Sequence, residues 1–280
     1  MSGDFRIRVM TPHEARLTRI WANREGWNAG RHDVPAFYAA DPAGFFLGTL
    51  NDRPIAMITG VRYGDHFGFI GHYIVEPDYR GYGYGMAIWR ACLMHLENRT
   101  IALDSVMEQQ ENYATFGFVT QHLHIRHGAI GGGTLPEGIT PLHDIPFSQI
   151  EAYDTRCYGT PRAVFLRSWL QMPEVVSYGM QNSNGSLGGY GVMRRAMDGW
   201  RIGPLFADDL ATADLLYRAL RAYGPGEMVY LDIPDSNPAA IALVARHRMA
   251  EGFLCARMVK GTPLPITIER VFGVTSLELG

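Results

Sequence analysis

Tyr73-Ile74-Val75-Glu76-Pro77-Asp78-Tyr79-Arg80-Gly81-Tyr82-Gly83-Tyr84-Gly85 is the stretch on which the fold turns. An apolar, β-branched run ends at Val75, and three alternating glycines lead into Met86 to Leu96, whose apolar spacing is helical. A strand feeding a glycine turn that opens a helix leaves unpaired backbone N–H groups at the helix N-terminus. The aligned peptide dipoles add about half a positive charge there, and glycine removes the side chains that block approach. Arg80 supplies a forked donor beside them. The segment therefore predicts a phosphate-bearing ligand. A P-loop needs Gly-Lys-Ser/Thr where this chain has Gly85-Met86-Ala87, and the dinucleotide fingerprint needs Gly-x-Gly-x-x-Gly, whereas the spacing here is Gly-x-Gly-x-Gly.

Outward from that stretch, the N-terminal side predicts a strand at Phe5 to Val9, then a helix opened by the Thr11-x-x-Glu14 capping box with Pro12 in its first turn, ended by Gly26. Asp33 is expected to cap a short second helix through Tyr38. Gly44 to Leu50 and Ile55 to Tyr63 flank the turn Asn51-Asp52-Arg53-Pro54, and Phe67 to Val75 follows as a strand. Beyond the glycines come the helix, a buried strand at Ile101 to Asp104, a helical Met107 to Thr115 and a strand from Phe118 to Arg126. The order is βααβββαβαβ. The Gly- and Pro-rich run GAIGGGTLPEGITPLHDIP from Gly128 then reads as a linker into an edge strand, so one domain is placed at 1–127, the connection at 128–145 and a second domain at 146–280. The second half repeats the rhythm of the first, which suggests duplication.

Composition sets the outer limits. The chain has 280 residues, 47% hydrophobic and 19% charged, with a net charge of -3. No run is long and apolar enough to span a bilayer, no targeting segment marks the N-terminus, and a soluble cytoplasmic protein is expected without membrane partners. No basic run suits nucleic acid. Cys92, Cys157 and Cys255 are odd in number and far apart, so they are read as reduced core residues. A homodimer remains open.

Arg80-x-x-Gly83-x-Gly85, preceded by Val75-x-Pro77 at a strand end, resembles the acyl-CoA pyrophosphate loop of the GNAT superfamily of N-acetyltransferases, and the βααβββαβαβ order over about residues 5–127 is that fold's order. The resemblance implies an α/β fold class: two consecutive domains, each a mixed, mostly antiparallel sheet flanked by helices. It implies acetyl-CoA or another acyl-CoA as co-substrate, held by Tyr73, Ile74 and Val75 along the arm and by Arg80, Gly81, Tyr82, Gly83, Tyr84, Gly85 and Met86 at the pyrophosphate. Tyr113, four residues before Gly117-Phe118, takes the position of the family's general acid, although Val106 stands where members often carry Asn. Some members place a basic Glu where Phe69 stands here. His72, Glu25 and Asp33 are the remaining candidates for a base, with His72 equally readable as packed core and a bound water as a further route. Glu25, Trp27 and Asn28 lie on the loop that in this fold walls the acceptor pocket.

After its corresponding strand the second half reads Gly203-Pro204-Leu205-Phe206-Ala207-Asp208-Asp209, whose carboxylates oppose a pyrophosphate, so that half is expected to be catalytically silent. His122, His124 and His127 fall near the end of one strand and read as an edge-strand surface, with no metal site expected. The functional expectation is acyl transfer to the amine of a small molecule. Two alternatives stand: a non-catalytic acyl-CoA sensor, or a protein lysine or N-terminal acetyltransferase.

Overall fold

The computed structural model describes residues 4–280. Strand β1 (Phe5–Val9) leads to helix α1 (Arg16–Arg24). The capping box forms, with Thr11 N–H donating to Glu14 at 2.9 Å and Glu14 N–H to Thr11 Oγ1 at 3.3 Å. It closes a turn, however, and regular helix starts later, Glu14 being drawn aside by a forked pair with Arg8. In α2 (Asp33–Ala40) the N-cap position falls on His32, and the Asp33 carboxylate pairs with buried Arg194 at 3.0 Å instead of capping.

The first half continues with β2 (Phe45–Leu50), β3 (Arg53–Tyr63), β4 (Phe67–Val75), α3 (Tyr84–His95), β5 (Thr100–Val106), α4 (Gln110–Ala114) and β6 (Val119–Ile130). After it come β7 (Thr140–Pro141), α5 (Phe147–Tyr158), α6 (Ala163–Leu170), β8 (Val175–Gln181), β9 (Leu187–Arg195), β10 (Trp200–Ala207), α7 (Leu210–Ala222), β11 (Met228–Pro234), α8 (Pro238–Arg246), β12 (Ala250–Lys260) and β13 (Val271–Gly273).

Among the described residues these strands form one mixed sheet, in the order β1-β2-β3-β4-β5-β12-β6-β11-β10-β9-β8-β7, with β13 on β10. The crossing at its centre joins the two expected sheets. Strand β12 of the second half inserts between β5 and β6, running antiparallel to both, from Cys255 opposite Val106 to Lys260 opposite Ile101. Strand β6 in turn pairs with β11, from Ile130 opposite Met228 to His124 opposite Pro234. Each half thus takes the strand beside its β5 or β11 from the other half. This overturns the edge-strand reading of the histidines: β6 is interior, His124 and His127 are buried, and His122 Nε2 lies 3.0 Å from His124 Nε2.

The core follows the sheet. One apolar cluster lies beneath α3 around Trp89, a second beneath α7 and α8, and the largest spans both halves. In that spanning cluster Phe37 of α2 stacks on Phe165 and Trp169 of α6, with centroids 6.3 and 5.7 Å apart. Buried charges also cross it. Arg126 forks onto Asp232 at 2.7 and 3.0 Å, Asp232 accepts from Arg201 at 3.0 Å, and Arg201 donates to Glu278 at 2.8 Å. Removing one partner from such a chain strands a buried charge, at a cost of roughly 3–5 kcal/mol.

Candidate functional site

Strand β4 makes the site by leaving its neighbour. It pairs with β5 in parallel only from Phe67–Ile70 against Thr100–Leu103, and its register with β3 breaks between Met57 and Thr59. His72 sits at that break with φ of 46°, a left-handed conformation that costs a non-glycine residue about 1–3 kcal/mol and survives only where surroundings fix it. Beyond the bulge, Tyr73 to Val75 face an open cleft rather than β5, and on that side the Val75 carbonyl accepts from Arg80 while β5 takes none of the main-chain groups of Tyr73 and Ile74.

The cleft runs to the glycine turn. Gly81 and Gly83 have φ of 83° and 85°, and among the described residues a Cβ on either meets no neighbouring atom within 4 Å, as a cradle for an outside group requires. Gly83 is the N-cap of α3 and, having no side chain, leaves the first-turn N–H groups without an acceptor from the cap. At Gly85 a Cβ lies 2.7 Å from the Tyr73 hydroxyl, so glycine permits α3 to approach β4. The Arg80 guanidinium donates to the Val75 carbonyl at 2.8 Å and to Glu25 at 2.7 Å, which pins it over the turn.

A cavity of about 740 Å³ extends from this turn into the centre of the molecule. It brings together Tyr73, Ile74, Val75, Arg80, Gly81, Gly83, Gly85 and Met86 with Glu25, Trp27, His72 and Tyr113. It does not take in Tyr82, which is exposed, or Tyr84, which is buried against Phe5 at 4.7 Å. Asn28 is also outside it. Its side chain closes a pair of hydrogen bonds with the main chain of Asp198, 2.9 and 2.8 Å long, and thereby ties the loop after α1 to the turn between β9 and β10. Asp33 is committed to Arg194 and is likewise absent from the cavity lining.

Electrostatics separate the titratable groups. Burial raises the Tyr113 phenol well above its usual range, with Tyr73 adding to the effect, so Tyr113 keeps its proton at neutral pH. Burial pushes His72 down to about 4 against the opposing charge of Glu278, so its imidazole is neutral at pH 7. One ring nitrogen, Nδ1, lies 3.2 Å from Thr59 Oγ1, and the ring packs against Phe37 and Trp27. Glu25 sits at the mouth in its ion pair with Arg80.

Sequence reasoning missed several polar residues of the cavity, among them Asp104, Gln109, Arg126 and Glu278. Asp104 pairs with Arg257 of β12 at 2.8 Å and lies 3.0 Å from His124 Nδ1; burial alone raises its carboxyl, but Arg257 and His124 outweigh it and hold it below the ordinary range. Arg126 donates to the Trp27 carbonyl at 3.0 Å. Asp104 carries a signal, a charged residue after the apolar Ile101-Ala102-Leu103 of β5, whereas Arg126 stands among the histidines of β6 and carries none.

Comparison with known proteins places this geometry. A sequence profile of the GNAT acetyltransferase family matches residues 14–118, and a GNAT-domain acetyltransferase profile matches residues 150–273. The Holothin acyltransferase of Pseudoalteromonas sp. (strain SANK 73390) is 31% identical over 270 residues, covering 95% of this chain and 92% of that protein. The chain belongs to the GNAT superfamily. As a tandem GNAT acyltransferase it superposes on a Pyrococcus horikoshii protein assigned as an acetyltransferase with a TM-score of 0.85 at 22% identity, covering 100% of this chain and 97% of the other. A tandem GNAT protein from the clavulanic acid biosynthesis pathway gives 0.63 at 13% identity, with 93% and 100% covered. These structural likenesses establish the fold.

Proposed function

We propose that this acyltransferase moves an acetyl or other short acyl group from acyl-CoA directly to the amine of a small molecule. The observation that carries the reading is the continuity of one cavity: the glycine turn, the free edge of β4, Tyr113 and His72 all open onto it. The pyrophosphate fits the uncapped start of α3 beside Arg80, and the thioester arm fits the main chain of Tyr73 to Val75. A relative named as an acyltransferase supports the reaction type.

The residues divide the work by protonation state. The amine gives up a proton as its nitrogen bonds to the acyl carbon, either to His72, which burial makes a weak base at about 4, or to a bound water. The carbon–sulfur bond breaks, and Tyr113, whose phenol lines the same cavity, gives its proton to the departing sulfur. Glu25 suits the base less well, being held by Arg80. Trp27, Phe253 and Leu277, from three distant parts of the chain, give the same cavity an apolar wall for the acceptor.

The test is thiol release from acetyl-CoA across a panel of primary amines, with peptides bearing lysine or a free N-terminus included. Release driven by a small amine, and lost in Tyr113→Phe, is expected. CoA binding without release above the water rate from any amine overturns the reading in favour of a sensor. Release driven by peptides alone turns it toward protein acylation.

A further inference from the structure

After α1 the chain from Glu25 to Arg31 forms a strap between two distant places. At its start Glu25 pairs with Arg80 of the glycine turn at 2.7 Å. Gly26 follows with φ of 79°, and among the described residues a Cβ there meets no atom within 4 Å, so the strap can turn at this point. At its far end the strap joins the second half. The Met197 N–H donates to the Ala29 carbonyl at 3.2 Å, Gly30 bridges Ala196, and the Arg31 N–H donates to the Arg195 carbonyl at 2.9 Å. Between the two ends, the carbonyls of Trp27 and Asn28 accept from Arg126 at 3.0 Å and Arg201 at 3.3 Å, and both guanidiniums are paired with Asp232 of β11.

Asn28 has φ of 53°, a left-handed conformation that a residue other than glycine keeps only where its surroundings fix it. Both polar atoms of its side chain are given to one residue of the second half: Nδ2 donates to the Asp198 carbonyl at 2.9 Å and Oδ1 accepts from the Asp198 N–H at 2.8 Å. The turn that receives this clasp is itself anchored, since the Tyr230 hydroxyl of β11 donates to the Asp198 carboxylate at 3.1 Å. Asn28 lies outside the cavity, but Trp27 immediately before it lines the cavity, with its ring centroid 6.5 Å from that of His72.

We propose that the second half serves the reaction by holding this strap, with Asn28 as a positioning residue whose clasp on Asp198 sets Trp27 against His72 in the acceptor wall. The proposal rests on the acyl-transfer reading and says what the second copy adds to it. Released from Asp198, the strap turns at Gly26 and Trp27 leaves the wall. Only molecules with the strap docked then bind the acceptor fully, so the apparent affinity falls with the docked fraction. A purely structural role leads elsewhere: a clasp that only joins the halves changes the melting temperature and leaves acceptor binding alone.

Steady-state thiol release from acetyl-CoA by the full chain separates the two, with benzylamine, tryptamine and spermidine included in the amine panel and the fastest amine used as the probe. Asn28→Gly accepts the left-handed backbone without strain and removes the clasp. It is expected to raise the acceptor KM about tenfold, the worth of two hydrogen bonds, while the KM for acetyl-CoA stays within about twofold. Asn28→Asp, which keeps an acceptor for the Asp198 N–H but offers no donor to its carbonyl, should fall between. In a Trp27→Leu background Asn28→Gly should have no further effect on the acceptor KM, because the clasp acts through that ring. An unmoved acceptor KM in a folded Asn28→Gly, even with a lowered melting temperature, or a full additional effect in the Trp27→Leu background, overturns the proposal and leaves acyl transfer standing. No release from any amine of the panel overturns the acyl-transfer reading and this proposal with it.

Discussion

The two halves make the same opening in the same place and treat it differently. Strand β4 pairs with β5 over four residues and then departs at a bulge. Strand β10 pairs with β11 over Trp200–Ile202 and departs where its own register with β9 breaks, between Ile202 and Leu205. In the first half the resulting cleft is open. In the second, β13 fills it, pairing Gly273 with Leu205 and Val271 with Phe206. The helix starts differ in parallel. Gly83 leaves the start of α3 bare, whereas the Asp209 carboxylate accepts from the Thr212 N–H at 2.8 Å and so supplies the anion of α7 from within the chain. One copy keeps its cleft open to a ligand, and the other has closed it with its own strand and its own carboxylate.

The strongest way to break this contrast is at Arg80. Arg80→Glu, with circular dichroism unchanged, should weaken CoA binding at least about a hundredfold in equilibrium titration, because a forked cation becomes a repelling anion. The wild-type titration should give one CoA per chain; two would mean that the filled cleft opens. Tyr113→Phe should lower kcat about a hundredfold and leave the CoA dissociation constant unchanged, while an unchanged kcat would return Tyr113 to the core.

A third test concerns stability. His72 binds a proton below about pH 4 when folded, against 6.5 for the ordinary side chain. Between those values the unfolded chain carries the extra proton, so stability is full above about 6.5 and is lost as pH falls toward 4. His122, pushed down to about 3 by burial and by His124, acts in the same direction. His72→Gln should flatten the melting-temperature profile across that window by the equivalent of about 3 kcal/mol; an unaltered slope would assign the acid sensitivity elsewhere. Smallest is Asp209→Ala, expected to cost about 1 kcal/mol in urea unfolding and to leave CoA affinity alone.

How much of this the sequence disclosed depends on the range of the interaction. The strand, glycine turn and helix around Arg80 are local chemistry, and the elements from Phe5 to Arg126 are written in short periodic patterns. The exchange of β6 and β12 is not. Asp104 and Arg257 meet across 153 residues, and nothing near either one names its partner. For the same reason His124 read as surface, since its strand was given an edge that β12 covers. Asn28 and Asp33 had chemistry suited to a site, but distant main chain at Asp198 and the guanidinium of Arg194 had already engaged them. Glu278 lay beyond reach because a carboxylate near a chain end ordinarily faces water, and only the tertiary path of the tail buries it.

The interleaving of β12 between β5 and β6 also sets a schedule for synthesis. The first half emerges from the ribosome with its fold nearly specified, yet β5 and β6 must wait, apart, for a strand translated more than a hundred residues later. Until then their exposed edges need shielding from other chains. The site, which draws Phe253 and Cys255 from β12, is therefore incomplete until that strand has been made.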